Sequence, residues 1–521
     1  MSDRASTGET EVSRGTWLAI VGASLGAFMA VLNIQIVGAS LDDIRGALGV
    51  VSDDGGWIST GYLVAEIVVI PLTGWLSKAF SPRRYLMANA VLFLAFSAAC
   101  AFAQSLEQMI ALRVLQGLAG GVLIPMAFTL IMTLLPPSRQ PTGLALFGLS
   151  ATLAPAVGPL VGGWLTATWG WQYIFLVNLV PGAVMLLLLW HALEPSPMQL
   201  PLLRRGDWPG IATMAIGLGA LQVVLEEGNR EDWFESSFIT QMAVLSAACL
   251  VLFVWIELRS AQPLLNLRLL ARRNFGIGML AMLFLGLAVY GSVFVLPAYL
   301  AQVQGYNAHQ IGVVLAWTGL PQLLLIPLVP WLMRSVDPRW LVIAGLGLFA
   351  ASNFMNVELT VDVTGDQLML PNIVRALGQA LVLTPLTALA TAGLLAADAG
   401  SASALLNIMR NLGGAVGIAL LQTFLSDRAR FHYVTIGETV SRFDEATRAR
   451  LDQLARRFTE QGAADPAAAL AQATASIADM VSRQAYTMAV GDAFHVLAFA
   501  LTLALGATLL LKKTGAKAAA R

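Results

Sequence analysis

The feature that most constrains this chain is a succession of apolar stretches, each about 20 residues long and nearly free of charge. Hydrocarbon offers no water to unpaired backbone amides, so such stretches are stable there as helices that bond internally. Fourteen candidates can be marked, the first six at 17–39, 57–77, 85–104, 111–133, 142–166 and 173–193. Two follow at 208–226 and 238–257, and the rest at 276–299, 310–333, 339–357, 370–393, 403–425 and 493–511. Composition agrees with a membrane protein. A soluble domain carries roughly 25% charged residues, whereas Asp, Glu, Lys and Arg make up 12% here and 57% of the chain is apolar. Acidic and basic residues balance at 31 each, so no nucleic acid partner is implied. Cys100 and Cys249 lie in apolar runs and offer no metal spacing. The chain carries no Gly-rich phosphate loop ending in Lys-Ser or Lys-Thr, so ATP-driven pumping has no support. No cofactor and no enzymatic reaction are expected.

Positive charge in short loops sets orientation. With the N-terminus inside, the inner loops hold Lys78, Arg83, Arg84, Arg139, Arg204, Arg205, Arg259, Arg268, Arg272, Arg273, Arg334 and Arg339. The C-terminal tail adds Lys512, Lys513, Lys517 and Arg521, while the short outer loops hold Arg45 and Arg230. Both termini are therefore expected on the cytoplasmic side of the membrane. The expected organisation is a cytoplasmic segment 1–16, a six-helix bundle 17–193 and a linker 194–257 containing two inserted spans. A second six-helix bundle 258–511 and a cytoplasmic tail 512–521 complete it. Within that second bundle, 427–490 is expected as an extracytoplasmic loop, with Phe443, Leu451, Leu454 and Phe458 at helical spacing as one amphipathic helix.

The two halves echo one another. Trp75-Leu76-Ser77-Lys78 with Pro82-Arg83 returns as Trp331-Leu332-Met333-Arg334 with Pro338-Arg339, offset by 256 residues. Arg113 and Gln116 are echoed by Arg375 and Gln379, and Ala156-Val157-Gly158 by Ala415-Val416-Gly417, with the Arg and Gly offsets at 262 and 259 residues. A single duplication explains all three, and duplicated bundles rocking about a central site are the architecture of alternating access.

These residues resemble the major facilitator superfamily, specifically the fourteen-span drug:proton antiporters of the EmrB/QacA type. The markers are Trp57 to Glu66 running into Pro71-Leu-Thr-Gly74-Trp75, Arg113-Val-Leu-Gln-Gly117 with Gly120-Gly121, and Gly148 to Gly163 with Pro155, Gly158-Pro159 and Gly162-Gly163. Trp171 to Asn178, Leu296 to Gln302, and Asn407-Ile-Met-Arg410-Asn411-Leu-Gly413-Gly414 continue the resemblance along nearly the whole chain. It implies an all-α major facilitator fold, two six-helix bundles plus two inserted central helices. It also implies proton-coupled export of lipophilic or amphipathic compounds. For Gram-negative relatives it implies a periplasmic adaptor and an outer-membrane channel as partners. One departure stands out: the stretch Leu32-Asn33-Ile34-Gln35-Ile36-Val37 has Asn33 where this branch usually carries an acid, and an amide cannot carry the proton.

Glu66 lies mid-span, where a fixed charge costs several kcal/mol, so it must be paired or protonated. That makes it the leading proton-coupling candidate, against the alternative of a neutral side chain that merely bonds a neighbouring helix. Arg113 is the second candidate through the resemblance, against a role in capping carbonyls. Asn33, Gln116, Gln379, Asn407 and Arg410 are candidates for the substrate cavity, Arg410 being expected to pair with an acid across the bundle. Asp492 and Glu358, at span ends, read as solvated. Gly74, Lys78, Arg83, Pro155, Gly158, Pro159, Gly162 and Gly163 form the conformational motifs. Prolines 155 and 159 remove helical donors and bend the span, while Gly158 and Gly162 bare one helix face for close packing. Lys78 and Arg83 are equally explained by topology alone. A uniporter or specific metabolite transporter, and a non-transporting sensor or assembly subunit, remain as alternative functions.

Overall fold

The computed structural model describes residues 12–50, 53–204, 206–260, 263–395, 398–441, 443–461 and 465–512. Residues 1–11 of the N-terminal segment, and Arg205, Lys513, Lys517 and Arg521 from the charge argument, lie outside the described residues. Helices are the regular structure throughout. The first six are α1 (Arg14–Ala39), α2 (Trp57–Phe80), α3 (Pro82–Cys100), α4 (Leu106–Leu134), α5 (Gln140–Trp169) and α6 (Tyr173–Ala192). Two more, α7 (Trp208–Glu227) and α8 (Ser237–Arg259), follow. The remainder are α9 (Arg273–Gln302), α10 (Gln310–Ser335), α11 (Pro338–Met355), α12 (Met369–Thr391), α13 (Ala399–Thr439), α14 (Glu445–Glu460) and α15 (Pro466–Leu509).

Local chemistry fixes several starts. Ser13, Ser105 and Asp207 cap α1, α4 and α7 by accepting from backbone N–H groups of the first turn. Asn307 and Gln310 form a reciprocal capping box at the head of the helix that continues as α10. Pro82 and Pro338 open α3 and α11 where a missing N–H costs nothing.

All fourteen candidate stretches fall on helices, but the expected count of fourteen spans is not reached by length and apolarity. Among the described residues, eleven helices are long and apolar enough to cross a membrane, and the bent α5 brings the number to twelve. The two short of the requirement are α3 and α11, at 19 and 18 residues, which begin with Arg83-Arg84 and Arg339. The bend in α5 is 49°, between Gln140–Pro155 and Val157–Trp169, where Pro155 and Pro159 interrupt the ladder.

Packing repeats the duplication helix by helix. In the first half α1 packs on α4, α5 and α6, α2 on α4, and α3 on α4 and α6. In the second half α9 packs on α12, α13 and α15, α10 on α12, and α11 on α12 and α15. The contacts between halves are paired too: α5 meets α10 and α12, as α13 meets α2 and α4. Helices α7 and α8 pack on each other, with α7 laid along α2. Lipid supplies no hydrophobic force between helices, so close backbone approach carries the association. A Cβ on Gly162 would stand 2.8 Å from the Ile36 carbonyl oxygen of α1, and one on Gly413 would overlap the Leu283 carbonyl of α9.

The 427–490 segment is not a loop. Helix α13 continues for 41 residues and α15 for 44, about 60 Å each at 1.5 Å per residue. A hydrocarbon core is about 30 Å thick, so both helices run well beyond it. The amphipathic helix is present as α14, which packs on α15 through the buried Leu454. Phe443 falls outside it and is 87% exposed, because Asp444 caps α14 by accepting from Thr447.

Candidate transport and proton site

Four of the polar residues inside the first bundle converge. Arg113 and Gln116, three apart on α4, share one helix face, and Arg113 lies against Asn33 of α1 and Tyr62 of α2. Arg113 is 1% exposed. Its Nη1 donates to Asn33 Oδ1 at 2.6 Å and to Gln116 Oε1 at 2.8 Å, and its Nε donates to the Ile58 carbonyl at 3.2 Å. The guanidinium lies 4.2 Å from the centre of the Tyr62 ring. The buried charge is thus held by neutral dipoles and a ring face rather than by a carboxylate.

Glu66, one turn beyond Tyr62 on the same face of α2, is buried with Oε1 lacking a hydrogen-bond partner. Arg410 was expected to pair with an acid; instead its Nη2 donates to Asn407 Oδ1 at 3.4 Å and its Nε is unpartnered. Among the described residues no carboxylate forms an ion pair with Arg410. Arg410 and Asn407 line a narrow cavity between the halves with Phe128, Phe147, Met282, Leu383, Thr387 and Leu406. The cavity holds about 10 Å³, room for one water at most, so the halves are closed on each other at this level.

Gln379 lies apart from that constellation, accepting at 3.0 Å from Gln322 Nε2 of α10. The conformational residues also separate. Gly74 is the point where α2 meets α13: a Cβ there would stand 3.3 Å from the Gly400 Cα. Gly158 approaches Gln35, Gly162 approaches Ile36, and Gly163 is buried. Lys78 is exposed at the mouth of a second cavity, whereas Arg83 turns to α6, donating to the Trp190 carbonyl at 3.0 Å. Asp492, read as solvated, is ion-paired: Arg428 Nε lies at 2.6 Å and His432 Nε2 at 2.8 Å from its Oδ2. Glu358 is exposed.

Two groups escaped the sequence reading. Glu227 on α7 is 2% exposed, accepting from Thr60 Oγ1 at 2.6 Å and pairing with Arg230 at 2.6 Å. Its place in the last turn of a span, one helical turn before an arginine, was the available signal. Gln322 was also missed, though the 256-residue offset that carries Trp75 onto Trp331 carries Glu66 onto it.

Comparison with known proteins places this geometry. The Major Facilitator Superfamily profile matches residues 23–418. The chain is 31% identical over 450 residues to the colistin resistance protein EmrB of Acinetobacter baumannii, covering 86% of this chain and 88% of that protein. It is 31% identical over 458 residues to the fatty acid resistance protein FarB of Neisseria gonorrhoeae, covering 87% and 89%. It is 29% identical over 490 residues to the multidrug export protein EmrB of Escherichia coli K12, covering 93% of each. Among solved structures, the proton:xylose symporter XylE shares the fold with a TM-score of 0.56 at 15% identity, over 81% of this chain and 90% of that one. The Arg113 cluster, the paired bundles and these matches lead to one assignment: the chain is a many-span membrane transporter of the Major Facilitator Superfamily, in the EmrB-type group, and not an enzyme.

Proposed function

We propose that this protein exports lipophilic or amphipathic compounds across a bacterial inner membrane by alternating access, in exchange for protons. The observation that carries the reading is Glu66, a buried mid-span carboxyl of α2 with an unpartnered oxygen. A carboxyl there can hold a proton in one state and release it when a cation or the substrate draws close, which is coupling by reciprocal linkage. Relatives named for multidrug export and for colistin and fatty acid resistance support a broad, amphipathic substrate range.

Fourteen spans, with α3 and α11 counted, keep both termini on the cytoplasmic side and put α14 and the ends of α13 and α15 outside. The domain limits at 17–193, 194–257 and 258–511 follow the same assignment. In a Gram-negative cell the protruding helices would face a periplasmic adaptor and, through it, an outer-membrane channel. The test is transport in everted vesicles. Addition of an exported lipophilic cation should collapse an imposed pH gradient, and Glu66→Gln should abolish that response. A parent protein that moves substrate without any proton flux would be a uniporter, the reading favoured by the neutral Asn33 beside Arg113.

A further inference from the structure

Helices α7 and α8 have no counterpart in the packing repeat, so the duplicated bundles do not account for them. Ser246 Oγ of α8 donates to the Gly217 carbonyl of α7 at 3.0 Å, and α7 lies so close on α2 that a Cβ on Gly219 would meet Val64 and Val68 at 3.6 Å. At the end of the bundle opposite Gly74, the turn joining α7 to α8 touches both halves. Its hold on the first half is Glu227, 2% exposed, which accepts from Thr60 Oγ1 of α2 and pairs with Arg230. The Arg230 guanidinium lies over Gly56 at the head of α2, where a Cβ would stand 2.7 Å from Nη1. Its hold on the second half is one hydroxyl. Thr423 Oγ1 of α13 accepts from Asn229 Nδ2 at 3.0 Å and from Trp233 Nε1 at 2.9 Å.

The two grips differ in strength. A buried carboxylate is costly to part from its charged partner, whereas neutral bonds to a half-buried hydroxyl exchange for water at little net cost. The turn therefore travels with the first half and lets go of the second. Its backbone is strained in the clasped state. Asp232 and Trp233 hold left-handed φ angles of 53° and 54° without being glycines, and such residues persist only where their surroundings hold them. Trp233 is held by its backbone N–H, donating to the Gly228 carbonyl at 2.7 Å, by its ring against Gly228, and by Thr423. Of these contacts, the one with Thr423 crosses between the halves.

We propose that the α7–α8 turn is a latch across the end of the bundle opposite Gly74. It rides on the first half, closes that end by clasping Thr423 of the second, and must release Asn229 and Trp233 from Thr423 before the transport path opens there. Alternating access requires the halves to part at each end in turn. The same two helices, α2 and α13, meet at the other end by direct backbone contact of Gly74 with Gly400. One end is thus closed by bare backbone and the other by an inserted strap, which gives α7 and α8 a task that the two bundles leave open. The latch goes beyond the export reading, since it acts whatever compound is moved and whichever way the protein faces.

The test uses the full-length protein in nanodiscs, with both native cysteines replaced and spin labels on Glu107→Cys and Glu358→Cys, exposed positions of the first and second halves at the latch end. The ratio of long to short distances between the labels should rise at least about fivefold in Thr423→Val, which keeps the shape and loses the acceptor. Trp233→Phe and Asn229→Leu should each give a smaller rise, and Thr423→Ser, which restores the hydroxyl, should match the parent. Labels on Ser138→Cys and Arg334→Cys, exposed at the other end, should keep parental distances in every variant. In a separate protein carrying Asn229→Cys and Thr423→Cys, bridging the two thiols with a short bis-methanethiosulfonate should stop tetraphenylphosphonium uptake into everted vesicles, and a reductant should restore it. Parental distances in Thr423→Val, lengthening at both ends, or full uptake by the bridged protein would overturn the latch. A parent that moves no tetraphenylphosphonium would count against the export reading alone, and the label distances would still decide the latch.

Discussion

Arg113 and Asn33 are joined by a 2.6 Å hydrogen bond between residues 80 apart in sequence, an amide accepting where the resembled family usually places a carboxylate. The guanidinium is already served by Gln116 and Ile58, so Asn33 completes a neutral shell and adds no titrating group. Asn33→Asp should create a buried ion pair with Arg113 of nearly unchanged shape. The transport rate of this variant against pH, measured in proteoliposomes, should differ from that of the parent. Superimposable profiles would give the Arg113–Asn33 contact a purely structural role. Asn33→Leu should cost about 1–3 kcal/mol by leaving a charged donor short of an acceptor, read as a lower melting temperature.

Glu66→Gln keeps volume and hydrogen-bonding capacity while fixing the neutral state. It should bind a lipophilic cation with parental affinity yet fail to accumulate it against a gradient. Uphill transport by this variant at every pH tested would move the proton site elsewhere.

Gly74 allows α2 and α13 to touch through backbone alone, with only 3.3 Å available to a Cβ before the Gly400 Cα. Gly74→Leu should hold the halves apart at that end. A cysteine replacing Thr387, which lines the cavity between the halves, then reports the opening in a background lacking Cys100 and Cys249. Its labelling rate should rise about tenfold or more, an apparent bias exceeding 1.4 kcal/mol. Unchanged labelling would show that this contact does not seal the cavity.

The architecture was legible because apolar length is a coarse signal that needs no partner. The duplication was legible because Trp75, Arg113 and Gly158 each return at nearly one offset. Glu66 and Arg113 were legible as intramembrane charges, whose cost flags them wherever they occur. What stayed hidden was pairing. Nothing in the sequence says that Arg113 reaches Asn33, or that Arg410 bonds Asn407 and no acid. The helical extension was misread for a different reason. The segments 427–439 and 466–490 are too polar to register as spans, yet they continue the helices α13 and α15, which pack on each other, with α14 laid against α15. Asp492 stands at the base of that extension, and its partners Arg428 and His432 come from the opposing helix.

That ion pair ties α13 to α15 where they leave the bundle. Arg428 and Asp492 retain 34% and 29% side-chain exposure, so the pair is worth about 1 kcal/mol rather than the larger value of a buried one. Asp492→Asn should raise amide exchange over 426–439 about fivefold and leave exchange in α1 unchanged. No change over 426–439 would assign the stability of the extension to apolar packing alone.

The side of the membrane on which that extension lies is the last prediction. Orientation follows from the basic residues Lys78, Arg83, Arg84 and Arg139 gathered at one end of the first bundle, against Arg45 and Arg230 at the other. The rule counts Lys and Arg rather than net charge, so the pairing of Arg230 with the buried Glu227 leaves the bias at four basic residues against two. The basic end is therefore predicted to be cytoplasmic and α14 to stand outside, where Thr459, exposed in the fold, would be accessible. In a background lacking both cysteines, Thr459→Cys should react with an impermeant maleimide in spheroplasts with the inner membrane intact. Ser13→Cys should react only after the membrane is opened. The reverse pattern would invert the topology, and with it the direction in which Glu66 must carry its proton.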